Sequence, residues 1–215
     1  EGCPGPVTIG AGTRLLHRAS IQGPCTIGER NMLYPGCTLG MPPQDLGFNP
    51  AEPGPGLIVG NENVFREGVS IHRGKTQSPT RIGNNNYFMA NSHAGHDCIV
   101  GDRNILANGT LLAGHVSVGD NTFMGGGSAV HQFCRIGEGV MVAGHASITR
   151  DVAPYLMVAE RDDVIGLNAV GLRRRRGFDL LVIHDDRAAG GEVVLAAVGL
   201  GCVLGRVERK IERSA

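Results

Sequence analysis

IGNNNYFMANSHAGHDCIVGDRNILANGTLLAGHVSVGDNTFMGGGSAVHQFCRIGEGVMVAGHASI, residues 82–148, decides the fold. Stepping through it by six from Ile82 meets Phe88, Ala94, Val100, Leu106, Leu112, Val118, Met124, Val130, Ile136, Val142 and Ile148, all apolar. A helix repeats every 3.6 residues and a half-buried strand every two, so neither explains a run of this kind. The same step fits Ile9, Leu15, Ile21, Ile27, Leu33 and Leu39, and again Val59, Phe65 and Ile71. Two residues before each large apolar one stands a smaller one, such as Cys25, Cys37, Cys98, Cys134, Ser128 or Ala146. Four of the six cysteines share this phase. They read as small core residues and not as nucleophiles. Asn31, Asn63, Asn86 and Asn104 share it too; Asn86 and Asn104, three hexads apart, suggest a stacked amide ladder.

Each six-residue unit supplies one flat face and one corner, and three units close a triangular coil. Coils then stack at the strand spacing of about 4.8 Å. The fold class expected is all-β: a left-handed parallel β-helix of hexapeptide repeats over residues 1–154, followed by a short, partly helical C-terminal extension over 155–215. The left hand comes from resemblance to known hexapeptide proteins, an exception to the usual right-handed crossover. Glycine repeatedly follows the large residue, as at Gly28, Gly60, Gly83 and Gly101, where the corner is tight. Two stretches break the count and read as ejected loops: Gly40 to Gly56, and Arg73 to Thr80.

Composition agrees with a thin, regular core: 34 glycines, no tryptophan and 4% aromatics. Lys+Arg and Asp+Glu are both 20, which argues against a general nucleic-acid partner. The longest apolar run, Val193 to Gly205, is too short for the ~20 residues of a membrane span. No secretory signal is visible at the start, and the scattered cysteines suggest a reducing, cytoplasmic compartment.

A filled prism has no internal cavity, so a site belongs on its outside. Hexapeptide proteins resemble one another in forming threefold trimers, and the seam between two prisms is the concave place. The three-hexad circuit stacks His96, Gly114 and Gln132 in one column and Asp97 with His115 in the next, with His93 and His131 nearby. Single surface histidines are usually just solvated; four beside an aspartate suit general-base chemistry. Gly114 offers a backbone N–H fit for an oxyanion. A zinc site competes, since gamma-class carbonic anhydrases also use trimer-seam histidines. The positions 93, 96, 115 and 131 do not match that pattern, so no metal and no other cofactor is expected.

NSHAGHDC (91–98), ILANGTLLAGHVSVGD (105–120), AVHQFC (129–134), SIHRG (70–74) and GLRRRRGF (171–178) resemble the UDP-N-acetylglucosamine O-acyltransferases of lipid A synthesis. The similarity is ungapped from about Asn61 to Pro154 and looser over 1–178. The resemblance implies transfer of a 3-hydroxyacyl chain from acyl carrier protein to the 3-hydroxyl of UDP-N-acetylglucosamine by a homotrimer. It places the base on His96, its partner on Asp97 and the oxyanion amide on Gly114. It places substrate contacts on His93, His115, His131, Gln132 and Asp45, nucleotide contacts on Asn168, Arg174 and Arg175, and room for the acyl chain on Gly144. The arginines also read as a solvated basic end. The chain departs from the family at Gly47, where its loop carries a lysine, at Val170, where it carries a glutamate, and beyond residue 178. Two other readings stay open: an N-acyltransferase acting on an amino-sugar nucleotide, and a non-catalytic trimeric scaffold.

Overall fold

The computed structural model describes residues 4–176. It is a stack of triangular coils whose short strands pair in parallel from coil to coil, in three sheets of seven, nine and seven strands. Partners sit three hexads apart through the regular part, as in Val7↔Cys25, Tyr87↔Ile105 and His93↔Leu111. The architecture is the left-handed parallel β-helix expected from the repeat.

The two phases of the hexad fill the interior. Leu33, Phe65, Phe88, Leu106, Leu112 and Met124 are fully buried, as are Cys37, Cys98 and Val116 in the smaller phase. Burial of such side chains contributes roughly 1.5–3 kcal/mol each. Burial also pushes the Cys37 and Cys98 thiols up to about 12, which leaves them protonated and inert. Ile9 and Leu15 have the same phase but remain about two-fifths exposed (42% and 43%), because they line the first coil and have a neighbour on one side only.

The asparagine phase forms a longer ladder than the three-hexad spacing alone suggests. Asn63 N–H and Nδ2 both donate to Asn31 Oδ1, Asn86 does the same to Asn63, and Asn104 N–H donates to Asn86 Oδ1. Thr122 N–H closes the run on Asn104 Oδ1 at 2.7 Å. Each amide satisfies backbone that a corner would otherwise leave unpaired in the core.

Corners repeat a left-handed residue every sixth position: Asn85, Asn91, Asp97, Arg103, Gly109 and His115 all have φ between 56° and 70°. The glycines after the large residue serve a different need. A Cβ on Gly28, Gly60 or Gly83 would lie 2.6 Å from a carbonyl oxygen of the next coil, so close stacking, not φ, demands glycine there.

Both ejected loops are present. Across the first, Cys25 pairs with Leu57, a spacing of 32 where the regular coils keep three hexads; across the second, Leu57 pairs with Thr80 and Ser70 with His93, a spacing of 23. Arg73, expected in the second loop, is instead fully buried at its base. Its guanidinium donates to the carbonyls of Gly40, Pro50 and Glu52 and lies over Phe48, so it fastens the first loop to the stack.

The six-residue period ends near Pro154, yet backbone pairing continues. Leu156–Ala159 pairs with Met141–Val142, and Asp163–Leu167 adds the last strand of the nine-stranded sheet. The first compact unit therefore extends to Gly166. In the second unit, helix Ala169–Arg176 is capped by Asn168, whose Oδ1 accepts Gly171 N–H at 2.9 Å. The apolar run Val193 to Gly205 lies outside the described residues.

Candidate active site

The site forms at one corner of three successive coils and on the sheet face leading to it. Asp97 and His115 are the left-handed residues of that corner, with φ of 60° and 64°. Aspartate and histidine are among the non-glycine residues that adopt this conformation most readily, so both fit the corner. His115 N–H donates to His96 O at 3.0 Å, which locks the two coils in the three-hexad register.

His96 Nδ1 lies 2.6 Å from Asp97 Oδ2. The Asp97 side chain is only 5% exposed. Burial works to raise its carboxyl, but bonds from the Thr76 hydroxyl, from His96 and from the Thr76 and Lys75 amides together outweigh it and hold the group below the ordinary carboxylate range. An ionised carboxylate cannot donate, so the shared proton belongs to Nδ1. Nε2 of the neutral ring is then left as the acceptor.

Gly114 lies against that acceptor. A Cβ there would fall 2.8 Å from both Nε2 and Cε1 of His96. Among the described residues the Gly114 N–H makes no hydrogen bond, while its carbonyl accepts Phe133 N–H at 3.2 Å. His115 stands edge-on to His96 with ring centroids 5.2 Å apart, and stacks on Phe133 at 4.5 Å. His115 Nε2 is 3.8 Å from Asp97 Oδ2, too long for a hydrogen bond.

The adjoining sheet face carries a groove of about 540 Å³ lined by Gln44, Ser70, Asn91, His93, Leu111 and Ala129. His93 Nδ1 pairs with Ser70 Oγ at 2.8 Å and its ring meets His72 edge-on at 4.9 Å. Burial is the main cause that lowers the pKa of His93, and it takes His72 down to about 4. Both rings are therefore neutral at pH 7.

Asp45, on the first loop, reaches the same corner. Its carboxylate pairs with Lys75 Nζ at 2.7 Å and accepts Gly47 N–H at 2.8 Å. The Lys75 bond, then the Gly47 amide, hold its pKa down, with a smaller part from His96. A Cβ on Gly47 would lie 4.0 Å from Lys75 Nζ, so the second loop brings an ammonium to the space beside the glycine.

The expected residues thus fall into three groups. His96, Asp97, Gly114 and His115 are in contact, with His93 on the adjoining face and Asp45 across the loop. His131 and Gln132 occupy the next coil of the same corner and are exposed. Gly144 lies on a different corner, stacked on Gly126, where a Cβ would find only Gly126 O at 3.3 Å. Asn168 caps a helix of the second unit; the side chains of Arg174 and Arg175 lie outside the described residues. Sequence reasoning missed Ser70, His72, Lys75, Thr76 and Phe133. All but Phe133 stand where the second loop shifts the count to 23, so a three-hexad step could not align them.

His96, Asp97 and His115 also offer one donor atom each within 4.8 Å of one another, a spacing a metal ion could use. The 2.6 Å contact and the three further donors on Asp97 are those of a carboxylate held by hydrogen bonds.

Residues 79–114 match the bacterial transferase hexapeptide (six repeats) family. A curated acyl-(acyl-carrier-protein)–UDP-N-acetylglucosamine O-acyltransferase from Anaeromyxobacter sp. strain Fw109-5 is 47% identical over 196 residues, which cover 89% of this chain and 74% of that protein. The chain belongs to the UDP-N-acetylglucosamine O-acyltransferase family. A second relative of the same name, from Sinorhizobium fredii, is 40% identical over 179 residues, 82% of this chain and 65% of its own length. The solved family structure from Acinetobacter baumannii superposes with a TM-score of 0.76 at 42% identity, covering 79% of this chain and 66% of that one. That from Campylobacter jejuni gives 0.75 at 36%, covering 80% and 67%. The chain therefore spans about two thirds of the length of the family members it matches.

Proposed function

We propose that this chain transfers a 3-hydroxyacyl group from acyl carrier protein to the 3-hydroxyl of UDP-N-acetylglucosamine, the first step of lipid A biosynthesis. The observation that carries the reading is His96, bonded through Nδ1 to an ionised Asp97, with Nε2 against the bare Gly114 amide. Nε2 takes the proton of the sugar hydroxyl as its oxygen attacks the thioester carbonyl. The new oxyanion is received by Gly114 N–H. As the intermediate collapses, the C–S bond breaks and the imidazolium returns its proton to the departing thiolate. Asp97 stabilises the imidazolium throughout.

The groove beside His93 suits the acceptor and the start of the acyl chain, with Leu111 and Ala129 as its apolar floor. His131 and Gln132 extend the same corner toward the substrates. Lys75, beside the space at Gly47, offers a cation to the diphosphate. Asn168, Arg174 and Arg175 are assigned to the nucleotide or to the acidic carrier protein on the family pattern alone.

A homotrimer completes the site. Above its first rung, Arg14, the outward column of the nine-stranded sheet is apolar: Met32, Val64, Tyr87, Ile105, Phe123, Met141 and Met157. Such a continuous stripe favours a second copy over water. Gly144, on another corner of its own chain, would then serve the acyl groove at a seam. The four described cysteines are free and buried, in keeping with a cytoplasmic setting. Among the described residues no helix is long and apolar enough to cross a membrane.

The test is mass spectrometry of UDP-N-acetylglucosamine and its 3-amino analogue, each incubated with 3-hydroxyacyl carrier protein and the purified chain. Acylated UDP-N-acetylglucosamine is the expected product. Its absence refutes the reading, and product from the amine alone moves the chain to N-acyl transfer. His96→Ala should lower the rate by about two to four decades.

A further inference from the structure

Asp97 could turn toward either of two imidazoles, and the contacts around it say what decides. Oδ2 is 2.6 Å from His96 Nδ1 and 3.8 Å from His115 Nε2. A rotation of the carboxylate about its Cβ–Cγ bond would shift that balance. Oδ1 is where such a rotation is blocked: it accepts the Thr76 hydroxyl at 2.6 Å and the Thr76 N–H at 3.0 Å. Lys75 N–H adds a bond to Oδ2 at 3.1 Å. The backbone of Asp97 is pinned as well, its N–H donating to Thr80 Oγ1 at 2.8 Å. All of these partners belong to the second ejected loop or to the strand on which it ends.

We infer that Thr76 is a positioning residue that acts through Asp97 to hold His96, and not His115, as the base. The inference rests on the acyltransfer reading for its kinetic consequence, but its geometric content stands without it. Two features hold the loop in place for this task. Gly74 N–H bonds to Gly56 O at 2.8 Å at the loop's base, and the Lys75 ammonium bonds to Asp45 on the opposite loop. Thr76 therefore meets the carboxylate as part of a braced turn, although the residue itself is exposed. Charge-assisted bonds of this length are the strong ones.

The experiment uses the full chain and the variants Thr76→Val, Thr76→Ser and Asp97→Asn. Thr76→Val should lower kcat by about ten- to a hundredfold, the worth of a bond to a charged group, with KM for UDP-N-acetylglucosamine within about twofold. Thr76→Ser, which restores the hydroxyl, should recover most of the rate. In the Asp97→Asn background Thr76→Val should cost almost nothing more, since its route of action is gone. Unchanged kcat in Thr76→Val, or a full loss persisting in that background, overturns the inference. Nitrogen NMR of the imidazoles reads the same question without turnover. Wild type should show His96 as the Nδ1–H tautomer and Thr76→Val a mixture; an unchanged spectrum overturns the inference even if no acyl transfer is found. Inactive wild type with the expected spectra would instead refute the acyltransfer reading alone.

Discussion

Adding one methyl group at Gly114 tests the arrangement with the smallest change available. Gly114 is not in the left-handed region, so alanine brings no backbone strain; its cost is contact. The new Cβ would sit 2.8 Å from Nε2 and Cε1 of His96, where ordinary contact begins at 3.4 Å. The ring must yield by about 0.6 Å. It cannot slide along its own plane without stretching the 2.6 Å bond to Asp97, and Asp97 is held by three donors from the second loop. The movement therefore falls on Nε2, the atom assigned to the proton. A misplacement of up to 1 Å costs about ten- to a hundredfold in rate. Stability should fall by only about 1 kcal/mol, because the ring is at the rim and can tilt outward. Initial rates with 3-hydroxyacyl carrier protein and UDP-N-acetylglucosamine, taken with thermal melts, separate the two effects. Gly126→Ala is the control, since a Cβ there meets only Asn108 O at 3.4 Å. If Gly114→Ala keeps the wild-type rate while Gly126→Ala behaves as expected, His96 is not the base in the pose described.

His72 sets an acid limit on stability. Burial lowers its pKa from 6.5 to about 4, so the unfolded chain binds the proton more readily. Stability from this residue is complete above about pH 6.5 and is lost as pH falls toward 4, by about 3 kcal/mol in all. Urea midpoints against pH should show the slope, and His72→Phe should flatten it. Arg73→Met leaves three carbonyls without their donor and should cost about 2–4 kcal/mol, with the 42–56 loop cut far faster by a protease. Asn63→Ala breaks the ladder at its middle and should cost about 2–3 kcal/mol in a denaturant titration, with the sheets' circular dichroism retained.

Much of this was legible because the fold makes sequence distance into spatial distance. Once three hexads close a circuit, His96 must stack on Gly114 and Asp97 on His115, and the core phases follow. The correspondence fails where the circuit is interrupted. Ser70 and His93 are paired at a spacing of 23, and nothing local in SIHRGKTQSPT says how many residues leave the stack. Thr76 and Lys75 could not be aimed at Asp97 or Asp45 for that reason. Arg73 misled for another: an arginine beside a glycine reads as surface, and its burial depends on carbonyls supplied 21 to 33 residues earlier. Asn168, placed by the family pattern as a nucleotide contact, also caps the helix that follows it, a role no repeat position announced.

The two excursions rejoin the column at the phase they left, so the rungs above and below keep the same alignment. Recognition of the acceptor, carried by residues such as Asp45 and Lys75, can therefore be lengthened, shortened or exchanged without resetting the rungs that carry the imidazole. The turn at Lys75 and Thr76 ties the exchangeable part to Asp97 directly, through two backbone amides and the Thr76 hydroxyl. A chimaera that swaps residues 42–56 should keep its chemistry and change its preference, whereas one that swaps 73–80 should disturb both.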